Sequence, residues 1–274
     1  MLALINKLNE TIEKRESVAL CTIVSTSGST PLKAGAKMIV WTNGTCFGTI
    51  GGGNIEKSVI FKAINVINSG DSILEEYHLV KEEMCCGGKM KIFIESIKKT
   101  KQLLIFGAGH IGKEIAKLAQ GLNFVTILID ERQEMLKNVD LSFTKKYFCH
   151  HSSAFSKLEF DHDTYIVICT HLHEYDREIL AYCVNQPKAY LGMIGSKRKV
   201  LITIKRFLEQ NICSRTTLDS IDMPIGFDIG QNSPAEIALG IVAKIIAISN
   251  KKLIVSQLNL VDYEEKNFNS NGCC

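Results

Sequence analysis

What the chain does not contain narrows its class first. No cationic stretch followed by a long apolar run opens it, and no window approaches the roughly 18 apolar residues that a membrane-spanning helix needs. A cytoplasmic protein with no membrane role is therefore expected. No long basic run is interleaved with aromatic residues, and the formal charge is only +3. The electrostatic footprint of a nucleic-acid binder is missing. Ten cysteines are many, but Cys21, Cys169 and Cys183 sit inside apolar strand or helix patterns, where a reduced thiol packs as a small hydrophobe. A disulfide framework is not expected.

What is present suffices for two cores, since 46% of the 274 residues are hydrophobic and neither half is low in complexity. The expected fold class is α/β: a smaller α+β domain over 1–98, a Rossmann-like doubly wound parallel sheet over 102–249, and a tail over 250–274. The polar stretch 98–101 is the natural linker. In the first part, Leu2, Ile5, Leu8 and Ile12 recur at near-helical spacing, and a β-rich run follows at 18–24. Asn43-Gly44 between 36–42 and 45–50 predicts a hairpin with two positive φ angles. Asn54 can cap a helix that ends at Gly70, and strands are expected at 73–80 and 89–96. From 102 onward strands (102–106, 124–130, 145–148, 164–170, 188–194) alternate with helices (110–120, 175–185, 197–210), the period of a parallel sheet. A last helix opens at Ser233-Pro234, with serine as cap and proline in the first helical position.

The chemistry gathers at glycine-rich corners. An apolar strand runs into Gly107-Ala-Gly109-His110-Ile-Gly112 and then a helix, a setting in which backbone N–H groups approach a pyrophosphate. Asp130, closing the next strand, is placed to take the hydroxyls of a ribose, with Arg132 two residues on. Gly51-Gly52-Gly53 leads into a helix whose first turn holds Glu56; it is either a second anion nest or a tight turn with a carboxylate at the helix dipole. Cys85-Cys86-Gly87-Gly88 is a turn in which a thiol could do sulfur chemistry or bind a soft metal. His171, His173 and Asp176 follow a strand at its carboxyl end and could hold a metal or a phosphate. Gly195, Ser196, Arg198 and Lys199 end another strand and suit an oxyanion, while Asp228 lies between glycines.

In this order, Gly51-Gly-Gly-x-x-Glu56, Cys86-Gly-Gly, the turn from Gly107, Asp130-x-Arg132, Gly192-x-x-Gly-Ser-x-Arg-Lys199 and Gly226-x-Asp228-Ile-Gly230 resemble the xanthine dehydrogenase accessory (XdhC/CoxI) family over about residues 18–245. The family often has proline and arginine after the segment Gly28-Ser-Thr-Pro31, where this chain has Leu32 and Lys33. The resemblance implies a maturation factor that binds molybdenum cofactor, assists its sulfuration and hands it to an apo molybdenum hydroxylase. A cysteine desulfurase is then a possible partner, and homodimerisation is the habit of the fold. Cys86, with Cys85 beside it, would be the sulfur relay or molybdenum ligand. His110, His173, Gly195, Ser196, Arg198, Lys199 and Asp228 would join the cofactor site. Because the corner at 107–112 and Asp130 suit a pyrophosphate and a ribose, the dinucleotide form of molybdopterin is expected. Two other readings remain open: an NAD(P)-dependent oxidoreductase on the same turn, and a metal-dependent hydrolase on His171, His173 and Asp176.

Overall fold

The computed structural model describes residues 1–79, 87–137, 144–230 and 232–252, and the chain divides into two compact units, Met1–Thr100 and Lys101–Cys274. The first unit runs α1 (Leu2–Glu13), β1 (Val18–Ser27), β2 (Lys37–Trp41), β3 (Cys46–Gly48), α2 (Gly53–Ser69), β4 (Ile73–His78) and β5 (Lys89–Ile97). Its strands pair antiparallel in the order β3-β2-β1-β5-β4. Along β5, Met90, Ile92 and Ile94 are buried while Lys89, Lys91 and Glu95 are exposed, the period-two alternation of a sheet covered on one face. The covering element is α2, which buries Val59, Ala63, Val66 and Ile67 against Cys21, Ile23, Met38 and Val40.

Three local expectations need revision in this unit. Gly52 rather than Asn54 is the N-cap of α2, without a side-chain cap, because the chain enters the helix through three glycines with positive φ. At the hairpin only Gly44 takes a positive φ, 80°. The Trp41 N–H donates to Thr45 O (2.9 Å), and Asn43 Oδ1 accepts from the Thr45 amide and hydroxyl, so the loop has three residues and closes with a glycine bulge. Finally, α1 forms but keeps Leu2, Ile5 and Ile12 exposed; Thr11 is the residue it buries.

The second unit runs β6 (Lys101–Phe106), α3 (His110–Ala119), β7 (Phe124–Asp130), α4 (Gln133–Lys137), β8 (Thr144–Phe148), α5 (His151–Phe155), β9 (Thr164–Ile168), α6 (His173–Cys183), β10 (Tyr190–Met193), α7 (Lys197–Glu209), α8 (Arg215–Asp219) and α9 (Pro234–Ser249). All pairs are parallel, in the order β10-β9-β6-β7-β8. Both faces are covered. Leu104 and Phe106 point into one core with Ile179, Val200, Ile204 and Phe207, whereas Leu103 and Ile105 point into the other with Ile115, Ile241 and Ile245. Burial on both sides is why β6, β7, β9 and β10 read as apolar runs, whereas the edge strand β8 has no buried residue. The chain reverses its direction of sheet growth between β6 and β9, and the crevice at their carboxyl ends is where such sheets bind ligands.

Cys21, Cys169 and Cys183 are buried, and burial pushes each thiol up to about 12. No helix among the described residues is long and apolar enough to cross a membrane.

Candidate functional site

The corner after β6 divides its glycines by task. A Cβ on Gly107 (φ 113°) would lie 2.3 Å from Cys169 O, and one on Gly112 would lie 1.9 Å from Gly107 O. These two permit close packing of strand against strand and helix against turn. A Cβ on Gly109 would meet nothing within 4 Å. That glycine faces open space beside the start of α3, where the chain provides no side-chain cap and no acidic residue in the first turn. The first-turn amides of α3 have no acceptor within the helix, and no acid of its own first turn opposes the positive dipole end. His110 is exposed at the same end.

Asp130 is engaged differently from the ribose acceptor expected. Its Oδ1 accepts from the Arg132 amide and Nε, both at 2.9 Å, and its Oδ2 from Arg132 Nη2 at 2.8 Å and the Ala108 amide at 2.7 Å. Burial alone would raise this carboxyl, but the Arg132 and Ala108 donors outweigh it and hold it below its ordinary value. Arg132 is raised in turn by its bond to Asp130. Two charges thus meet in a bidentate fork, with the Asp130 side chain 3% exposed and that of Arg132 23%.

The rim after β9 also turns inward. Asp176 is fully buried; its Oδ1 accepts from the Thr170 amide (2.9 Å) and hydroxyl (2.7 Å), and its Oδ2 from Lys199 Nζ at 2.6 Å. Lys199 donates also to Ile194 O at 3.0 Å. This corrects two expectations: Lys199 neutralises Asp176 instead of facing an outside oxyanion, and Asp176 cannot join the exposed His171 and His173 on a metal. His173 Nδ1 stands 3.8 Å from Asp176 Oδ2 with its own side chain 73% exposed. Among the described residues no group of three His, Cys, Asp or Glu side chains could hold a metal ion. Ser196 caps α7 by accepting from the Lys199 amide, and Arg198 is exposed on the first turn of that helix.

In the first unit, the nest at Gly51-Gly52-Gly53 is already filled. Glu56 Oε2 accepts from Thr49 Oγ1 (2.6 Å), the Gly52 amide (3.0 Å) and the Ile50 amide (3.2 Å). Burial would raise this carboxyl, yet the three donors hold it below its ordinary value. Cys85 and Cys86 lie outside the described residues. Asp228 is exposed and accepts from the Gly230 amide at 3.2 Å.

Gly107, Asp130, Thr170 and His171 line one cleft together with Glu131, His151 and Tyr175. His151 was not anticipated from sequence. Its ring clusters with those of His150 (4.0 Å) and Tyr175 (4.8 Å), with Nε2 2.7 Å from Glu178 Oε2. Burial lowers its pKa, and Glu178 offsets this only in part. The available signal was Cys149-His150-His151 immediately after a strand, the position from which α/β sheets reach ligands. A buried cluster also went unforeseen: Asp222 accepts from Tyr190 Oη (2.6 Å), the Gly226 amide (2.8 Å) and Lys244 Nζ (2.5 Å), which anchors the loop that carries Asp228.

Comparison with known proteins bears on the family and the fold. The model of the XdhC Rossmann domain matches residues 103–245, and that of the XdhC and CoxI family matches residues 11–78. The "Uncharacterized protein YqeB" of Escherichia coli is 31% identical over 240 residues, which is 85% of this chain and 43% of that protein. A probable xanthine dehydrogenase subunit of Bacillus subtilis is 27% identical over 169 residues, 60% of this chain and 48% of that protein. The chain therefore spans about half the length of the curated relatives it matches. A crystal structure described as a xanthine dehydrogenase from Bacillus halodurans shares the fold, with a TM-score of 0.50 at 19% identity over 92% of this chain and 98% of that one. Both halves of the sequence thus carry the same signature, and the chain belongs to the XdhC and CoxI family.

Proposed function

We propose that the chain is an accessory factor for a molybdenum hydroxylase of the xanthine dehydrogenase type, which binds molybdenum cofactor, supports its sulfuration and delivers it to the apo-enzyme. Family membership and the name of the Bacillus subtilis relative support the hydroxylase as client. One observation carries the binding step: the corner at Gly109 opens onto space at an uncapped helix N-terminus with no acid of its own. A phosphate-bearing pterin supplies the missing anion.

The residues fit that group. Gly109 lets the phosphate approach the backbone, the first-turn amides of α3 donate to it, and Gly107 and Gly112 keep the turn close against the sheet. The cofactor supplies the redox-active molybdenum that the hydroxylase uses. Cys85 and Cys86 are the soft donors proposed to relay sulfur, which a cysteine desulfurase would provide. Ala at both positions should reduce cofactor retention and client activation, and unchanged values for both would remove the cysteines from the mechanism.

An NAD-dependent oxidoreductase on the same turn has less support, because the ribose acceptor it needs is engaged by Arg132. Thermal melting of the full chain separates the two. Molybdopterin at a hundred times its Kd should stabilise the fold by about 2.7 kcal/mol. A response to NAD(P) and none to molybdopterin would overturn the proposal.

A further inference from the structure

We infer that the cleft at the carboxyl ends of β7, β8 and β9 is a subsite for an exocyclic amino group on a planar nitrogen heterocycle, with His151 Nδ1 and the Glu131 carboxylate as its acceptors. The inference deepens the binding role just proposed and rests on it for the identity of the molecule that carries the amino group.

His151 lines the cleft with only 7% of its surface exposed. Its Nε2 stands 2.7 Å from Glu178 Oε2, and a carboxylate can only accept, so Nε2 carries the ring proton. Nδ1 then holds the lone pair, and no described residue donates to it. Glu178 and Tyr175 from α6, Glu131 from the end of β7, and His150 and Cys149 beside it surround this ring. Burial holds the imidazole below its ordinary value, so at neutral pH the lone pair stays free of a proton. A buried acceptor without a donor is the group that a guest satisfies.

Charge fixes the kind of guest. Asp130, one acid of the lining, is paired with Arg132, so Glu131, 32% exposed, sets the local sign. A phosphate is repelled from such a place, whereas an N–H donor is attracted. Size narrows the choice further. The cleft holds about 20 Å³, room for a single water-sized group, which admits an amino group and excludes a whole ring. At its mouth His171 is exposed, and its ring meets that of Tyr175 edge to face at 5.8 Å. These aromatic surfaces give a planar ring a place to lie while its amino group reaches inward.

Two sources share this chemistry: the 2-amino group of the pterin itself, and the base amino group of a molybdopterin dinucleotide.

Calorimetry on the full chain tests the subsite with two matched pairs: guanosine against inosine, which lacks the 2-amino group, and pterin against lumazine, which has an oxo group in its place. The amino member of each pair should bind about tenfold tighter, the scale of one hydrogen bond to a charged acceptor. His151→Phe keeps a ring and removes both nitrogens, and should bring the ratio close to one. If that variant fails to fold, Glu131→Gln carries the test and should lower the ratio. In the wild type the ratio should also fall as the pH drops below about 6.5 toward the folded value of His151, because a protonated Nδ1 donates instead of accepting. Molybdopterin and its cytosine dinucleotide then separate the sources: weaker binding of both to His151→Phe assigns the pterin amino group, and weaker binding of the dinucleotide alone assigns the base. A His151-dependent amino preference without binding of either molybdopterin would uphold the subsite and sink the cofactor reading. Molybdopterin binding without any amino preference would do the reverse and leave a cleft that holds only water. Equal ratios in the wild type and both variants likewise overturn the inference.

Discussion

Two glycine-rich corners in this chain join a strand to a helix, and they end in opposite states. In the corner at Gly51-Gly52-Gly53, Glu56 from the first turn of α2 folds back and accepts from Thr49, Ile50 and Gly52. In the corner that begins at Gly107, α3 has no acid in its first turn, and Gly109 borders open space. The first turns an acid of its own helix onto its amides; the second gives the Ala108 amide to Asp130 and has no acid in its first helical turn. Glycine run and helix start are common to both, so neither marks a ligand site alone. The discriminating feature is whether the chain supplies the anion itself.

The comparison breaks most severely at Gly112. Ala there would press its Cβ to 1.9 Å from Gly107 O, a backbone atom that cannot swing away. Gly112→Ala should destabilise the second unit by about 3 kcal/mol despite alanine's better helix propensity, seen as a lower denaturant midpoint. A loss under about 0.5 kcal/mol would mean the turn is not packed as described.

Opening the closed corner is the next test. Glu56→Ala removes three hydrogen bonds from a partly exposed site and should cost about 1 kcal/mol. More telling, sulfate should then raise the melting temperature of the variant more than that of the wild type, because the vacated nest accepts an outside anion. Equal sulfate responses would refute the idea that Glu56 is the occupant.

Acid should act in two ranges, one for the depressed carboxyls of both units and one for a depressed histidine. Glu56 has a depressed carboxyl, so its stabilisation is present above its ordinary value of about 4.5 and is lost as the pH falls through the folded value. His151, in the cleft of the second unit, is also depressed, but as a base. The unfolded chain takes up its proton near 6.5 while the folded one resists, so stability falls as the pH drops below about 6.5 and levels off below the folded value. His151→Gln should flatten the melting temperature between about pH 7 and pH 5 and leave the slope near pH 4. An unchanged slope in the upper range would assign it to other groups.

The smallest expected change in stability is at Gly109. Its φ of −67° is ordinary and its Cβ direction is empty, so Gly109→Ala should alter unfolding by less than about 0.5 kcal/mol. On the proposed reading the same methyl stands where a phosphate would approach, and molybdopterin binding should weaken. Full retention of binding would move the ligand off this corner.

How much of this was legible depends on range. The bounds of β7 and the opening of α9 at Ser233-Pro234 were readable, the latter because capping box and proline act within one turn. The helices α4, α5 and α8 were missed; each has five residues, too few for a 3.6-residue period to register. The apolar stripe of α1 was readable as a pattern, yet Leu2, Ile5 and Ile12 remain exposed. Asn43-Gly44 gave the hairpin but not its loop type, since the register of β2 and β3 also enters.

Within the site, the glycines were found from sequence and the ion pairs were not. Steric freedom at Gly107, Gly109 and Gly112 is a property of the residue itself, so sequence suffices to locate the corner. Which polar group takes which partner is settled through space: Lys199 could have faced an anion, but folding set it 2.6 Å from Asp176, and Asp130 could have faced a ribose, but Arg132 lies within reach of both its oxygens. Sequence determined where backbone amides could be bared, because local sterics act over a few residues. Only the folded structure decided which of those amides already had an anion, because Glu56 could have pointed to the nest or to solvent, and Asp130 reaches the Ala108 amide only where β6 and β7 lie side by side.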